Sequence, residues 1–174
     1  MESLLILKSV VTLQIDFKGM RYKIMNKFEI QIQYPNHTDE REMEQESDLD
    51  IAEILAKFES ISWRRQRVLQ LQLDGRNTIF TVLNSVSEAF LKITLNAYAK
   101  SEDFEFKIES NIKLIFQQRE LFGLMTRKNK EVFAIKHSTL EQVKASLTAF
   151  LNQDTQGLED ILRDSKTPSL KDAS

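Results

Sequence analysis

The chain has 174 residues, a length that gives one domain with a core large enough to need neither a metal nor a disulfide. It has no cysteine, which excludes thiolate metal sites and cysteine nucleophiles, and 24 basic against 26 acidic residues, which disfavours a general nucleic-acid binder. Six residues are Gly or Pro, about 3% of the chain against roughly 12% in average proteins, so Gly-rich phosphate loops and Pro-rich linkers are excluded.

The start, from Met1 to Lys8, is apolar but opens on an acid and is broken by Lys8, unlike a secretory signal. No apolar run is long enough to span a membrane. The expectation is a cytoplasmic protein.

Val11, Leu13, Ile15 and Phe17 alternate with polar residues, which predicts a half-buried strand. Gly19 offers the turn. Met20, Tyr22, Ile24, Phe28, Ile30, Ile32 and Tyr34 then share even positions, which predicts a long return strand ending at Pro35 and pairing with the first as a hairpin. A polar connection follows. Between Asp39 and Glu53 stand eight acids and one base, Arg41. Ser47 is placed as a helix cap, with Asp48 and Asp50 in the first turn. Ile51, Ile54, Leu55 and Phe58 form the helix's apolar face.

Leu69, Leu71 and Leu73 alternate with Gln70 and Gln72, which predicts a strand, and Asp74-Gly75-Arg76-Asn77 predicts a tight hairpin into Ile79–Leu83. Turns are placed at 84–88 and 101–103. Strands are placed over Leu91–Leu95, Phe104–Ile108, Ile112–Phe116, Leu121–Met125 and Val132–Ile135, the last two joined by Arg127–Lys130. Ser138 with Glu141 reads as a capping box. It opens a helix carrying Leu140, Val143, Leu147, Phe150 and Leu151, and Asp154 caps a second with Leu158, Ile161 and Leu162. Residues 165–174 read as a frayed tail.

The expected fold is therefore a single α+β domain over 1–164. It is an antiparallel meander of six or more strands, with one helix after the first hairpin and two C-terminal helices packed on one face.

No catalytic, metal or cofactor constellation emerges. His137 adjoins Ser138, but the serine is better used as a cap and no third orienting group is evident. His37 sits in a polar loop and is expected to be solvated. Trp63-Arg64-Arg65-Gln66-Arg67 is the one basic-aromatic cluster.

The meander from Leu69 to Ile135, the final helix from Ser138 and the acidic stretch Asp39–Glu53 together resemble the immunity proteins of contact-dependent and type VI toxin systems. That resemblance implies a cytoplasmic, non-enzymatic binder that occludes a cognate bacterial toxin domain. The expected contact residues are Glu40, Glu42, Glu44, Glu46, Asp48 and Asp50 for electrostatic steering, with Tyr34, Trp63 and Arg65 as anchors. No nucleic acid, membrane or cofactor is expected. Ser47–Phe58 followed by Leu69–Leu83 also looks similar to chaperones of type III secretion effectors. An enzyme with dispersed catalytic residues is the third class.

Overall fold

The computed structural model describes residues 27–73, 76–100, 103–120 and 125–166. The expected strand Val11–Phe17, its turn at Gly19, and residues 121–124 and 167–174 lie outside them.

The elements run β1 (Phe28–Gln33), a single 3-10 turn (Glu40–Glu42), β2 (Glu44–Leu49), α1 (Ile51–Ser60), α2 (Trp63–Gln72), β3 (Ile79–Asn84), β4 (Phe90–Leu95), β5 (Phe106–Glu120), β6 (Met125–Ser138), α3 (Leu140–Leu151) and α4 (Thr155–Lys166). The six strands form one antiparallel sheet in the order β2-β1-β3-β4-β5-β6. This is the α+β fold expected, with α1 following a hairpin. β1 pairs with β2 on one side and β3 on the other, and the expected hairpin of Val11–Phe17 with the strand from Met20 falls on residues outside the described ones.

Period-two alternation builds the core. Phe28, Ile30 and Ile32 of β1, Phe80 and Val82 of β3, Leu91, Ile93 and Leu95 of β4, Phe106, Ile108 and Leu114 of β5, and Phe133 and Ile135 of β6 are all buried. They line one face. On it lie Ile54 and Phe58 of α1, Val143, Leu147, Phe150 and Leu151 of α3, and Leu158 and Leu162 of α4, all in one apolar cluster. The intervening residues Lys92, Thr94 and Lys107 stand on the opposite face of the sheet.

Four local readings are corrected. The stretch 68–72 is helical, within α2, with Leu73 as its C-cap, and not a strand. Leu, Gln and Arg are strong helix formers, and none of residues 69–73 is β-branched, so propensity favours helix over the short alternation. The segment 74–77 consequently joins a helix to a strand and is no hairpin. The acidic stretch is partly a strand, β2, and the helix cap moves from Ser47 to Asp50. The Asp50 side chain accepts from the Glu53 N–H at 2.9 Å, and Glu53 accepts from the Asp50 N–H at 2.8 Å. This capping box satisfies two orphan donors reciprocally. The cap of α3 likewise moves one residue, to Thr139 with Gln142, because Ser138 ends β6 opposite Phe106.

β5 and β6 are also longer than expected. Arg127–Lys130 runs inside β6, and β5 runs through both Ile108 and Ile112–Phe116, expected as parts of two strands. α4 is capped as expected, Asp154 accepting from the Gly157 N–H at 2.9 Å. Ser165 and Lys166 belong to α4 and not to a tail.

Candidate functional site

The acidic segment becomes a sheet edge. β2 pairs with β1 on one side, and its other side is unpaired among the described residues. The ladder slips between Phe28 and Ile30 of β1, and Asp48 sits at φ 64° beside the slip. Asp tolerates this left-handed conformation better than most residues, so the bulge is locally encoded.

Glu44 and Glu46 stand opposite Ile32 and Ile30. That places them at the rim of the α1 side, where both meet Lys57, Glu44 at 3.4 Å and Glu46 through a short hydrogen bond. The hydrogen bond to Glu46 holds the Lys57 ammonium above the ordinary lysine range; burial opposes it, and the charges of Glu46 and Glu44 add to it. Asp48 pairs with Lys27 at 2.7 Å. Glu42 accepts from the Thr38 N–H at 2.6 Å and hydroxyl at 2.7 Å, and these bonds lower its carboxyl below the usual range. Asp50 is consumed by the α1 cap. Glu40 lies in the 3-10 turn. Four acids of the segment, Asp39, Glu44, Glu46 and Asp48, pair with three bases, Arg41, Lys57 and Lys27, and eight acids against these three leave a negative excess. Glu44, Glu46 and Asp48 keep side-chain exposures of 46%, 42% and 69%.

The expected anchors separate. Tyr34 is half-buried beside this edge. Burial raises its hydroxyl above the ordinary tyrosine range; Glu44 and Glu46 add to this, and Lys57 opposes it. Tyr34 is therefore held protonated by the fold. Such a group stabilises fully below pH 10.0, its ordinary value, and that contribution is lost as pH rises through the folded value. The urea midpoint of the native chain is expected to fall further between about pH 9 and about pH 11 than that of Tyr34→Phe. Equal falls would refute the coupling.

Trp63 is no surface anchor. It is 7% exposed, with ring centroids 5.1 Å from both Phe58 and Phe106. Arg65 is exposed on α2, as is Arg64. Arg67 is structural, donating to the carbonyls of Ala97 at 3.3 Å and Ala99 at 3.0 Å. Arg76 likewise ties the carbonyls of His37 and Thr38 to the start of β3.

Both histidines differ from their expected settings. His37 is buried, not solvated. Its Nδ1 accepts from the Tyr34 N–H at 3.3 Å, and its ring meets Tyr34 edge-on at 5.2 Å. His137 does have an orienting group, Glu105, whose carboxylate lies 3.1 Å from Nδ1. Sequence spacing could not reveal this pair, because the β5–β6 ladder brings it together across 32 positions. Ser138 is not its nucleophile. Successive strand residues face opposite ways: the His137 side chain is 75% exposed, whereas Ser138 is buried with its hydroxyl unpartnered.

Among the described residues no cluster of three His, Asp or Glu is arranged to hold a metal, and no helix is long and apolar enough to cross a membrane. Comparison with protein-family models, curated proteins and solved structures finds no match to this chain.

Proposed function

We propose that this chain is a binding protein that neutralises a protein partner, a bacterial toxin domain, by occluding its active surface. One observation carries the reading: the strand richest in acids lies at the rim of the sheet with one edge unpaired among the described residues. Such an edge offers backbone donors and acceptors to an incoming extended segment. Its carboxylates select a basic one and repel the acidic β2 of a second copy. A toxin that attacks nucleic acid presents a basic cleft for phosphate, which this edge complements. Occlusion needs no chemistry, only a complementary surface of about 800 Å² per partner.

Co-expression with the product of the neighbouring gene tests the reading: complex formation and protection of the cell support it, and failure of both rejects it. Within such a complex, Glu44→Lys with Glu46→Lys is expected to slow association by tenfold or more at about 0.01 M salt, where the Debye length is about 30 Å. The effect is expected to shrink at about 0.1 M, where it is about 10 Å. An unchanged association rate at low salt would remove β2 from the interface.

A further inference from the structure

At the far side of the sheet from β2, strands β4, β5 and β6 form a cleft of about 300 Å³, lined by Asn77, Thr94, Asn96, Lys107, Lys136 and His137. The ladder explains how these residues meet. Thr94 stands opposite Lys107. β6 slips against β5, from Phe106 opposite Ser138 to Ile108 opposite Ile135, so Lys136 and His137 both fall against Lys107. A bulge of this kind re-aims side chains, and bulges are over-represented beside functional sites.

The lining is rich in donors. Lys136 is exposed and has no carboxylate partner among the described residues. Lys107 shares its charge with Glu109 at 2.7 Å. Asn77 accepts through Oδ1 from Gln70 at 2.8 Å, which fixes its amide and leaves its NH₂ without a partner among the described residues. The nearby carboxylate, Glu105, meets the Asn96 amide and His137 Nδ1 through one oxygen, Oε1. Lys107, Lys136, Asn77, Thr94 and His137 thus line one cleft from three strands and one loop.

We propose that this cleft binds a small molecule carrying a phosphate group. A tetrahedral phosphate accepts hydrogen bonds from several directions at once, as donors from four segments require, and charge-assisted bonds to lysine are its strongest contacts. The volume matches the lower end of small-molecule sites and is too small for a polymer. This site does not depend on β2 or on the partner proposed above.

The test is a titration of the full chain with inorganic phosphate at constant ionic strength, followed through backbone amide chemical shifts. Saturable shifts are expected at Thr94, Lys107, Lys136 and His137. Lys136→Gln, an exposed substitution that the fold tolerates, is expected to weaken binding about tenfold, and Lys130→Gln to leave it unchanged. Glycerol phosphate is expected to bind more tightly than phosphate alone. Shifts spread over all lysines, equal affinity in Lys136→Gln, tighter binding of acetate than of phosphate, or tighter binding of a phosphoserine peptide than of glycerol phosphate would each overturn the proposal.

Discussion

Trp63→Ala is expected to lower the unfolding free energy by about 3–5 kcal/mol. The side chain is 7% exposed and begins α2, directly after the α1 terminus. Its ring lies 5.1 Å from Phe58 and meets Phe106 at 88°, also at 5.1 Å. Phe58 in turn meets Phe80 edge-on at 5.3 Å. One indole therefore joins both helices of the β2–β3 connection to β3 and β5. Tilted and edge-on aromatic pairs add about 0.5–1.5 kcal/mol each beyond the area they bury. Removing the ring severs two such pairs and opens a cavity that backbone from four elements cannot refill. Urea denaturation must be followed by circular dichroism, since Trp63 is the chain's single tryptophan and fluorescence leaves with it. A loss below about 0.5 kcal/mol, typical of a surface position, would return Trp63 to the partner-binding surface.

Where alternation continued with β-branched or aromatic residues, as in Phe28–Ile32, Ile79–Val82 and Leu91–Leu95, the strand and its buried face were legible from sequence. The stripe Val143, Leu147, Phe150 and Leu151 was equally legible, because a three- and four-residue spacing admits only a helix face. The readings fail at 44–50 and at 68–73 for different reasons. At 68–73 helix propensity prevails over a short polar alternation, whereas β2 buries almost nothing and is a strand because β1 pairs with it. Its acids are legible as charge. Their use as rim partners of Lys57 and Lys27 is not, since those pairings depend on α1 crossing the strand and on the slip beside Asp48. The phosphate cleft was hidden for a similar reason, as Asn77, Thr94, Lys107 and Lys136 meet only through the register of three strands.

Gln70 turns the misread stretch into a test. As a strand, 69–73 would put Gln70 and Gln72 on the same polar face, and replacing either by Leu would have the same small effect. In α2 the two point in widely different directions. Gln70 is 1% exposed, whereas Gln72 is exposed. The Gln70 amide accepts from the Thr78 N–H at 3.1 Å and donates to Asn77 Oδ1 at 2.8 Å and to the Leu95 carbonyl at 3.3 Å. It therefore substitutes for a missing strand neighbour where β3 begins. Gln70→Leu keeps the volume but strands the buried Thr78 N–H, and an unsatisfied buried group costs about 1–3 kcal/mol. With the Leu95 carbonyl and Asn77 also losing a donor, the total loss is expected to be about 2–4 kcal/mol. Gln72→Leu is expected to stay within about 0.5 kcal/mol of the native chain. Urea midpoints of the two variants, measured side by side, decide between the geometries. Equal midpoints would reject α2 and with it the placement of Arg65. A large gap with Gln70→Leu the weaker confirms that a polar residue, alongside Trp63, holds this helix against the sheet.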